Sequence, residues 1–148
     1  VMRSNARTFE AAAHLKRLGA DTIAVKGLFS DTLATYREKS ILIQSAQLFH
    51  GCAIAVTSSS EPELRLAAPQ AADELLGITG VKASFVFYMV DGVCYISARS
   101  LGDYNVQLIM EAVGGGGHRT MAGAQLRMDI DEAQSLVKKA IEDFRINM

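Results

Sequence analysis

The residues best suited to chemistry in this sequence are four consecutive glycines followed by a histidine, at positions 114–118. A glycine costs roughly 0.5–1 kcal/mol more than alanine to order, so four cost about 2–4 kcal/mol. In return, the backbone can adopt positive φ angles, and successive N–H groups can form a nest that binds an anion. A histidine can donate a hydrogen bond, or a charge when protonated, to a phosphate oxygen. The run predicts a phosphate-binding loop made of Gly114, Gly115, Gly116, Gly117 and His118.

The alternative interpretation of this run is a helix C-cap followed by a flexible linker. One glycine is enough for a cap, linkers usually contain serine as well, and apolar segments resume within a few residues on both sides. A Walker loop is excluded because no Gly-Lys-Ser/Thr follows, and a dinucleotide fingerprint is excluded because the run follows a predicted helix rather than a strand.

A second polar cluster lies at the end of a predicted strand, at Ser97, Arg99 and Ser100. Strand alternation places Ser97 and Arg99 on one face, and a guanidinium can bind phosphate or carboxylate with two parallel hydrogen bonds. The alternative is an ordinary surface arginine where the strand ends. Asn105 and Thr120 are further candidates for ligand contact, and both are equally suited to capping.

No catalytic residue and no metal site are predicted in this chain. His14 and His50 have no partners at metal-ligand spacing, the acidic residues are scattered, and no Asp-His-His or HxxEH motif occurs. No serine or cysteine lies in a nucleophile elbow. Cys52 and Cys94 stand inside apolar runs without CxxC spacing, so we expect reduced, buried thiols.

The composition limits the class of protein. A chain of 148 residues predicts one domain with a short appendage. The net charge of -1 argues against binding duplex nucleic acid through counterion release, but it allows a small phosphorylated ligand that needs only one or two cations. No apolar stretch is long enough to span a membrane. The first residues, Val1 to Asn5, predict that the chain is part of a longer protein.

Apolar periodicity predicts an α/β fold, a mixed and mostly antiparallel sheet packed with helices. Helices are predicted over residues 8–18, 32–45, 63–76 and 105–113, and from Asp129 onward. The second of these is expected to carry Leu33, Tyr36 and Ile43 as its apolar residues. Strands are predicted over residues 20–27, 47–49, 52–57, 83–90, 93–98 and 122–128. Tight turns are expected at His50-Gly51 and Asp91-Gly92. The last helix is expected to begin with a capping box that includes Glu132 and to bury Leu136.

Several motifs together resemble the DHHA1 domain of DHH-type phosphoesterases, and the likeness covers nearly the whole chain. They lie at residues 7–12, 83–86, 96–102, 105–111, 114–118 and 122–123. The helix at 106–111 is similar to that of the cyclic di-AMP phosphodiesterases of Gram-positive bacteria. The motif at 7–12 resembles the end of a DHH domain. This implies that residues 1–27 are a DHH tail with linker and that residues 28–148 are the DHHA1 domain.

The resemblance implies roles for these residues. In this family the DHH domain binds two manganese ions, water attacks a phosphodiester, and the DHHA1 domain binds the substrate across a cleft. His118 and the glycine amides would then bind phosphate, and Arg99 and Ser97 would contact the substrate. Met121 departs from the Ala that often follows the histidine in this family, which implies a reshaped pocket.

The resemblance also implies the cofactor, partners and location. Mn²⁺ would be bound by a preceding DHH domain, so this chain would be inactive alone. The substrate would be an adenine dinucleotide or short oligonucleotide. The domain would lie in the cytoplasm, and the resemblance is compatible with a longer protein that is anchored in a membrane. The alternatives are an oligoribonuclease or adenosine-bisphosphate phosphatase, a non-catalytic nucleotide-binding module, and a homodimerisation domain.

Overall fold

The centre of the fold is a six-stranded sheet with the order β1-β2-β3-β4-β6-β5, seen in a computed structural model that describes residues 32–148. The strands of this part of the chain are β1 (Gln47–Phe49), β2 (Cys52–Val56), β3 (Ala83–Val90), β4 (Val93–Ser100), β5 (Gly116–His118) and β6 (Met121–Leu126). β2 and β3 pair in parallel, and every other neighbouring pair is antiparallel. The predicted α/β fold with a mixed, mostly antiparallel sheet is therefore confirmed.

Four helices accompany these strands in the described residues. They are α1 (Leu33–Ser45), α2 (Leu64–Leu75), α3 (Val106–Ala112) and α4 (Ile130–Ile146). Each lies where apolar periodicity predicts a helix. The predicted helix at 8–18 and the predicted strand at 20–27 lie outside the described residues, as does the proposed domain boundary after residue 27. No helix of the described part is both long and apolar enough to cross a bilayer.

The two predicted tight turns are confirmed and fix the register of their hairpins. His50 and Gly51 have φ angles of 52° and 79°, and Asp91 and Gly92 have φ angles of 51° and 78°. Two successive positive φ values characterise the type I′ turn, whose twist matches that of the flanking strands. The second turn aligns β3 with β4 over their full lengths.

The sheet separates two apolar cores. On one side, α2 packs on β3 and β4, and this core contains Leu64, Leu75, Val86 and Tyr88 together with Leu42 of α1. On the other side, α3 and α4 cover Phe85, Phe87, Ile96, Ala122 and Ala124, so this core reaches β6. Helices therefore cover the sheet as far as β6 on the second side, but only as far as β4 on the first.

Three details of the sequence prediction are wrong. Leu33 and Tyr36, expected in the apolar stripe of α1, are 64% and 55% exposed, whereas Thr35 and Leu42 are buried. Apolar and polar residues are distributed almost evenly around the axis of α1. Apolar periodicity therefore could not identify its buried face. Leu136 is exposed, because Val137 and Ala133 take the inner face of α4. Asp129 caps α4 by accepting from the Asp131 N–H at 3.1 Å, rather than through the capping box with Glu132.

Cys52 and Cys94 are buried and unpaired, as expected. Burial raises the pKa of both thiols to about 11. Both side chains are therefore neutral thiols at physiological pH, and packing rather than reactivity is their contribution.

Candidate functional site

Strand β4 carries two different faces. Cys94, Ile96, Ala98 and Ser100 are buried, while Val93, Tyr95, Ser97 and Arg99 are partly exposed. This follows from the two-residue period of a strand. The prediction that Ser97 and Arg99 share a face is confirmed.

The exposed face of β4 continues across β6 and β5 in three rows of residues that pair in register. The histidine row contains Arg99, Met121 and His118. The glycine row contains Ser97, Gly123 and Gly116. The tyrosine row contains Tyr88, Tyr95 and Gln125. Because residues opposite each other in a ladder point to the same side of a sheet, these rows form one surface, which we call the open face.

No helix of the described residues packs on the part of the open face that β5 and β6 form. The apolar core on this side contains no residue of either strand. His118 is exposed and Met121 is 51% exposed. A groove of about 410 Å³ runs over this surface and is lined by residues of the glycine and tyrosine rows together with Gly114 and Gly115. The open face is thus accessible to a ligand and has a backbone floor.

The glycine run differs in form from the predicted loop. Gly114 has a φ of 98° directly after α3, which is the usual glycine position that ends a helix. The N–H groups of Gly114 and Gly115 donate to the carbonyls of Glu111 at 3.1 Å and Met110 at 2.7 Å. The remaining residues form the edge strand β5. An anion nest that uses the amides of Gly114 and Gly115 is therefore wrong, because the helix end already occupies both donors.

Packing or backbone conformation explains three of the four glycines. A Cβ on Gly115 would lie 2.2 Å from the carbonyl oxygen of Gly123, and one on Gly117 would lie 2.5 Å from Cα of Ala122. Gly114 needs its positive φ. A Cβ on Gly116 would meet nothing within 4 Å, and its φ is not in the left-handed region. Gly116 is the glycine for which the fold supplies no reason, and it lies at the β5 end of the glycine row.

Arg99 is held in place by α2. Its Nε donates to Oδ1 of Asp73 at 3.1 Å, and Nη1 donates to the carbonyl of Ala98 at 2.9 Å. The side chain of Arg99 is 12% exposed and that of Asp73 is 37% exposed. A guanidinium has five N–H donors in a planar fork, and these two hydrogen bonds use two of them. The contact fixes the direction of the fork on the open face and partly offsets its charge.

The coupling between Asp73 and Arg99 is expected to be about 1–2 kcal/mol, because one partner is largely buried and the hydrogen bond is charged. A double-mutant cycle with Asp73→Ala and Arg99→Ala, followed by urea unfolding, measures it. The Lys82–Asp103 pair is the matched control, since its atoms are 3.7 Å apart and both side chains are about 60% exposed. Its coupling is expected below about 0.5 kcal/mol. Equal coupling in the two pairs would contradict a positioning role for Asp73.

The structure does not bring the other predicted residues onto the open face. Ser100 is buried on the opposite side of β4, where its Oγ donates to the carbonyl of Arg119 and accepts from the N–H of Gly102, both at 3.3 Å. Asn105 caps α3 by accepting from the Leu108 N–H at 3.2 Å. Thr120 is exposed in the turn between β5 and β6, and its carbonyl accepts from the N–H of Ser100. Local structure accounts for Ser100 and Asn105, and a ligand contact by these three stays a prediction.

Sequence reasoning missed Tyr95, Gln125 and Asp73. Tyr95 was detectable, because it lies two residues before Ser97 on the same face of a predicted strand. Asp73 stands 26 residues before Arg99, and no local pattern connects the two.

Within residues 32–148, no group of three or more histidine, cysteine, aspartate or glutamate side chains is placed to hold a metal ion. The residues present in this part of the chain therefore do not fit a manganese site.

In the described part of the chain, fold and surface together define a domain whose sheet is covered by helices on both sides, except on the open face of β5 and β6. Residues 55–144 match the family described as "DHHA1 domain". The chain belongs to the DHHA1 domain family. The resemblance noted from the sequence is confirmed.

Relatives and solved structures agree with this assignment. The chain is 45% identical to the cyclic-di-AMP phosphodiesterase GdpP of Geobacillus thermodenitrificans and 43% identical to the cyclic-di-AMP phosphodiesterase PdeA of Listeria monocytogenes. Each match covers 97% of this chain and 22% of the relative, so the chain spans about a fifth of their length. An exopolyphosphatase-related protein from Bacteroides fragilis has the same fold, with a TM-score of 0.71 at 18% identity over 92% of this chain and 43% of that one.

Proposed function

We propose that this chain is the substrate-binding domain of a phosphodiesterase that hydrolyses cyclic di-AMP. The observation that carries the proposal is the histidine row, in which the guanidinium of Arg99 and the imidazole of His118 lie on the open face. The chain is also similar in sequence to two cyclic di-AMP phosphodiesterases. A cyclic dinucleotide carries two phosphodiester groups, each with one negative charge. Such a ligand needs only one or two local cations, which a chain with a net charge of -1 can supply.

Each residue has a part in this proposal. His118 donates a hydrogen bond to a phosphate oxygen, and the free donors of Arg99 bind the same or the neighbouring phosphate. Gly116 and Gly123 let the phosphate approach the backbone, because neither has a side chain on the open face. Asp73 holds the guanidinium so that its fork is directed before the ligand arrives, which lowers the entropy lost on binding.

Chemistry at the phosphorus belongs to another part of the protein in this proposal. A preceding DHH domain would bind Mn²⁺ and supply the attacking water, since residues 32–148 have no ligand set that fits a metal. This chain would orient the substrate against that domain. The unpaired thiols of Cys52 and Cys94 support a reducing compartment, and we place the domain in the cytoplasm.

Steady-state hydrolysis by the full-length protein with Mn²⁺ tests the proposal. We expect kcat/KM for cyclic di-AMP to exceed that for linear pApA and for longer oligoadenylates, and residues 1–148 alone to bind cyclic di-AMP without hydrolysing it. The control is cyclic di-GMP at equal concentration. Preference for pApA or oligoadenylates would indicate an oligoribonuclease instead, and binding without hydrolysis by the full-length protein would indicate a nucleotide sensor. Absence of binding to any adenine nucleotide would contradict the proposal.

A further inference from the structure

The tyrosine row contains a stacked aromatic pair. The rings of Tyr88 and Tyr95 have centroids 5.2 Å apart and planes inclined by 12°. The two residues are direct partners on β3 and β4, and neighbouring strands lie about 4.7–4.9 Å apart. The stacking direction therefore runs from strand to strand across the sheet. One face of Tyr95 is covered by Tyr88, and the other is turned towards β6.

The pair is anchored on the side away from β6. Tyr88 is 6% exposed and belongs to the core beneath α2. Burial, and then the neighbouring Tyr95, raise the pKa of the Tyr88 hydroxyl, so the inner ring stays neutral. Tyr95 is only partly buried and lines the groove of the open face. A rigid inner ring thus supports a second ring whose outer face borders an accessible space.

The space beside Tyr95 has the form of a slot. Gln125 is the direct partner of Tyr95 on β6 and is exposed, while Gly123 forms the floor towards the glycine row. Gly114 and Gly115 also line this space. The φ of 98° disfavours a side chain at Gly114, and a Cβ on Gly115 would meet Ala124, which belongs to the core on the other side of the sheet. At these two positions the space is therefore bordered by backbone.

The slot is connected to the phosphate-binding residues. Tyr95 and Arg99 are four residues apart on one strand, which corresponds to about 13 Å at 3.3 Å per residue. The glycine row lies between them, and Ser97 is the only residue of this row that has a side chain. A ligand with a flat group at one end and a phosphate beyond it can lie along this trough without meeting a large side chain.

We propose that Tyr95 and Gln125 form a nucleobase subsite that selects adenine. The base stacks on the outer face of Tyr95, and the Gln125 amide, a donor and an acceptor side by side, forms two hydrogen bonds with N6 and N7 of adenine. Guanine presents acceptors at both corresponding positions and does not match this pair. The subsite rests on the proposed function, because its phosphate partners are Arg99 and His118.

Calorimetric titration of the metal-free full-length protein with cyclic di-AMP tests the subsite. Tyr95→Leu is expected to raise Kd by about 5- to 150-fold, the range of one lost base–aromatic stack. Tyr95→Phe keeps the ring and is expected to bind within about 2-fold of the unsubstituted protein. Gln125→Ala, at an exposed position, is expected to raise Kd by about 2- to 12-fold for each neutral hydrogen bond that is lost. Tyr36→Leu, an exposed tyrosine outside the groove, is the matched control and is expected to leave Kd unchanged.

The outcomes separate this subsite from the function on which it rests. Unchanged Kd in both Tyr95→Leu and Gln125→Ala, with normal binding by the unsubstituted protein, would overturn the subsite and leave the proposed function standing. Absence of binding by the unsubstituted protein would overturn both. Inorganic pyrophosphate is the phosphate-only probe, and its affinity is expected to be the same in Tyr95→Leu and the unsubstituted protein. An equal loss for pyrophosphate and cyclic di-AMP would show that the substitution disturbs the whole face, which also contradicts the subsite.

Discussion

Replacing His118 by asparagine is expected to lower kcat/KM for cyclic di-AMP by about 10- to 150-fold. A hydrogen bond to a charged group contributes about 1.5–3 kcal/mol, and this energy converts directly into the ratio of kcat/KM values. His118 is exposed on the edge strand β5, so its side chain is not needed for packing. The measurement is steady-state hydrolysis by the full-length protein, with thermal unfolding recorded in parallel.

His50→Asn is the matched control for this substitution. His50 is also an exposed histidine, but it lies in the β1–β2 turn with a φ of 52°, and asparagine tolerates that conformation better than most residues. We expect kcat/KM to stay within about 2-fold of the unsubstituted protein, since surface substitutions away from a site change little. Equal effects of the two substitutions, or no effect of His118→Asn, would remove His118 from the phosphate site.

Gly115→Ala is expected to destabilise the fold by about 3 kcal/mol or more. Its Cβ would lie 2.2 Å from the Gly123 carbonyl oxygen and 2.6 Å from Cβ of Ala124, so β5 and β6 would have to separate or α3 would have to shift. Overpacking usually costs about 1–3 kcal/mol, and a clash with the backbone of β6 lies at the upper end. For a chain of this size the midpoint of thermal unfolding falls by about 6–12 °C. Circular dichroism of the 148-residue chain measures it.

Gly116→Ala, one residue later in the same run, is the control. Nothing lies within 4 Å of its Cβ position, so the free energy of unfolding is expected to change by less than about 1 kcal/mol, with alanine favoured by its smaller chain entropy in the unfolded state. If Gly115→Ala unfolds at the same temperature as Gly116→Ala, the close packing between the glycine run and β6 is wrong.

The prediction of secondary structure succeeded where local chemistry decides it. The His50-Gly51 and Asp91-Gly92 pairs are located by the positive φ angles that their turns need. Helix α2 is located by its buried residues at helical spacing, Leu64, Ala68, Ala71 and Leu75. Strand β5 was missed because glycine has little propensity for a strand. It forms because β6 offers an unpaired edge and because Gly115 and Gly117 permit close approach.

The site was predictable in its residue types but not in its arrangement. The two-residue period of a strand is enough to place Ser97 and Arg99 on one face. The histidine at the end of the glycine run was recognisable as a polar residue suited to bind phosphate. Register across β4, β6 and β5 decides that Arg99 and His118 share a row. Pairing between strands depends on contacts distant in sequence, so it does not follow from local pattern. The ion pair with Asp73 has the same origin.

The sequence by itself determined the class of fold, the two type I′ turns, the family, and the side of β4 that faces outward. The family follows from the resemblance of several motifs. The class of fold, the turns and the outward side of β4 depend on interactions between near neighbours, namely backbone φ preferences and the periods of helix and strand. Only the tertiary structure decided that the glycine run is an edge strand, which of its glycines the packing requires, and that the tyrosines stack beside a slot. Those features depend on which strands become neighbours, because close approach and shared rows exist only after the sheet has assembled.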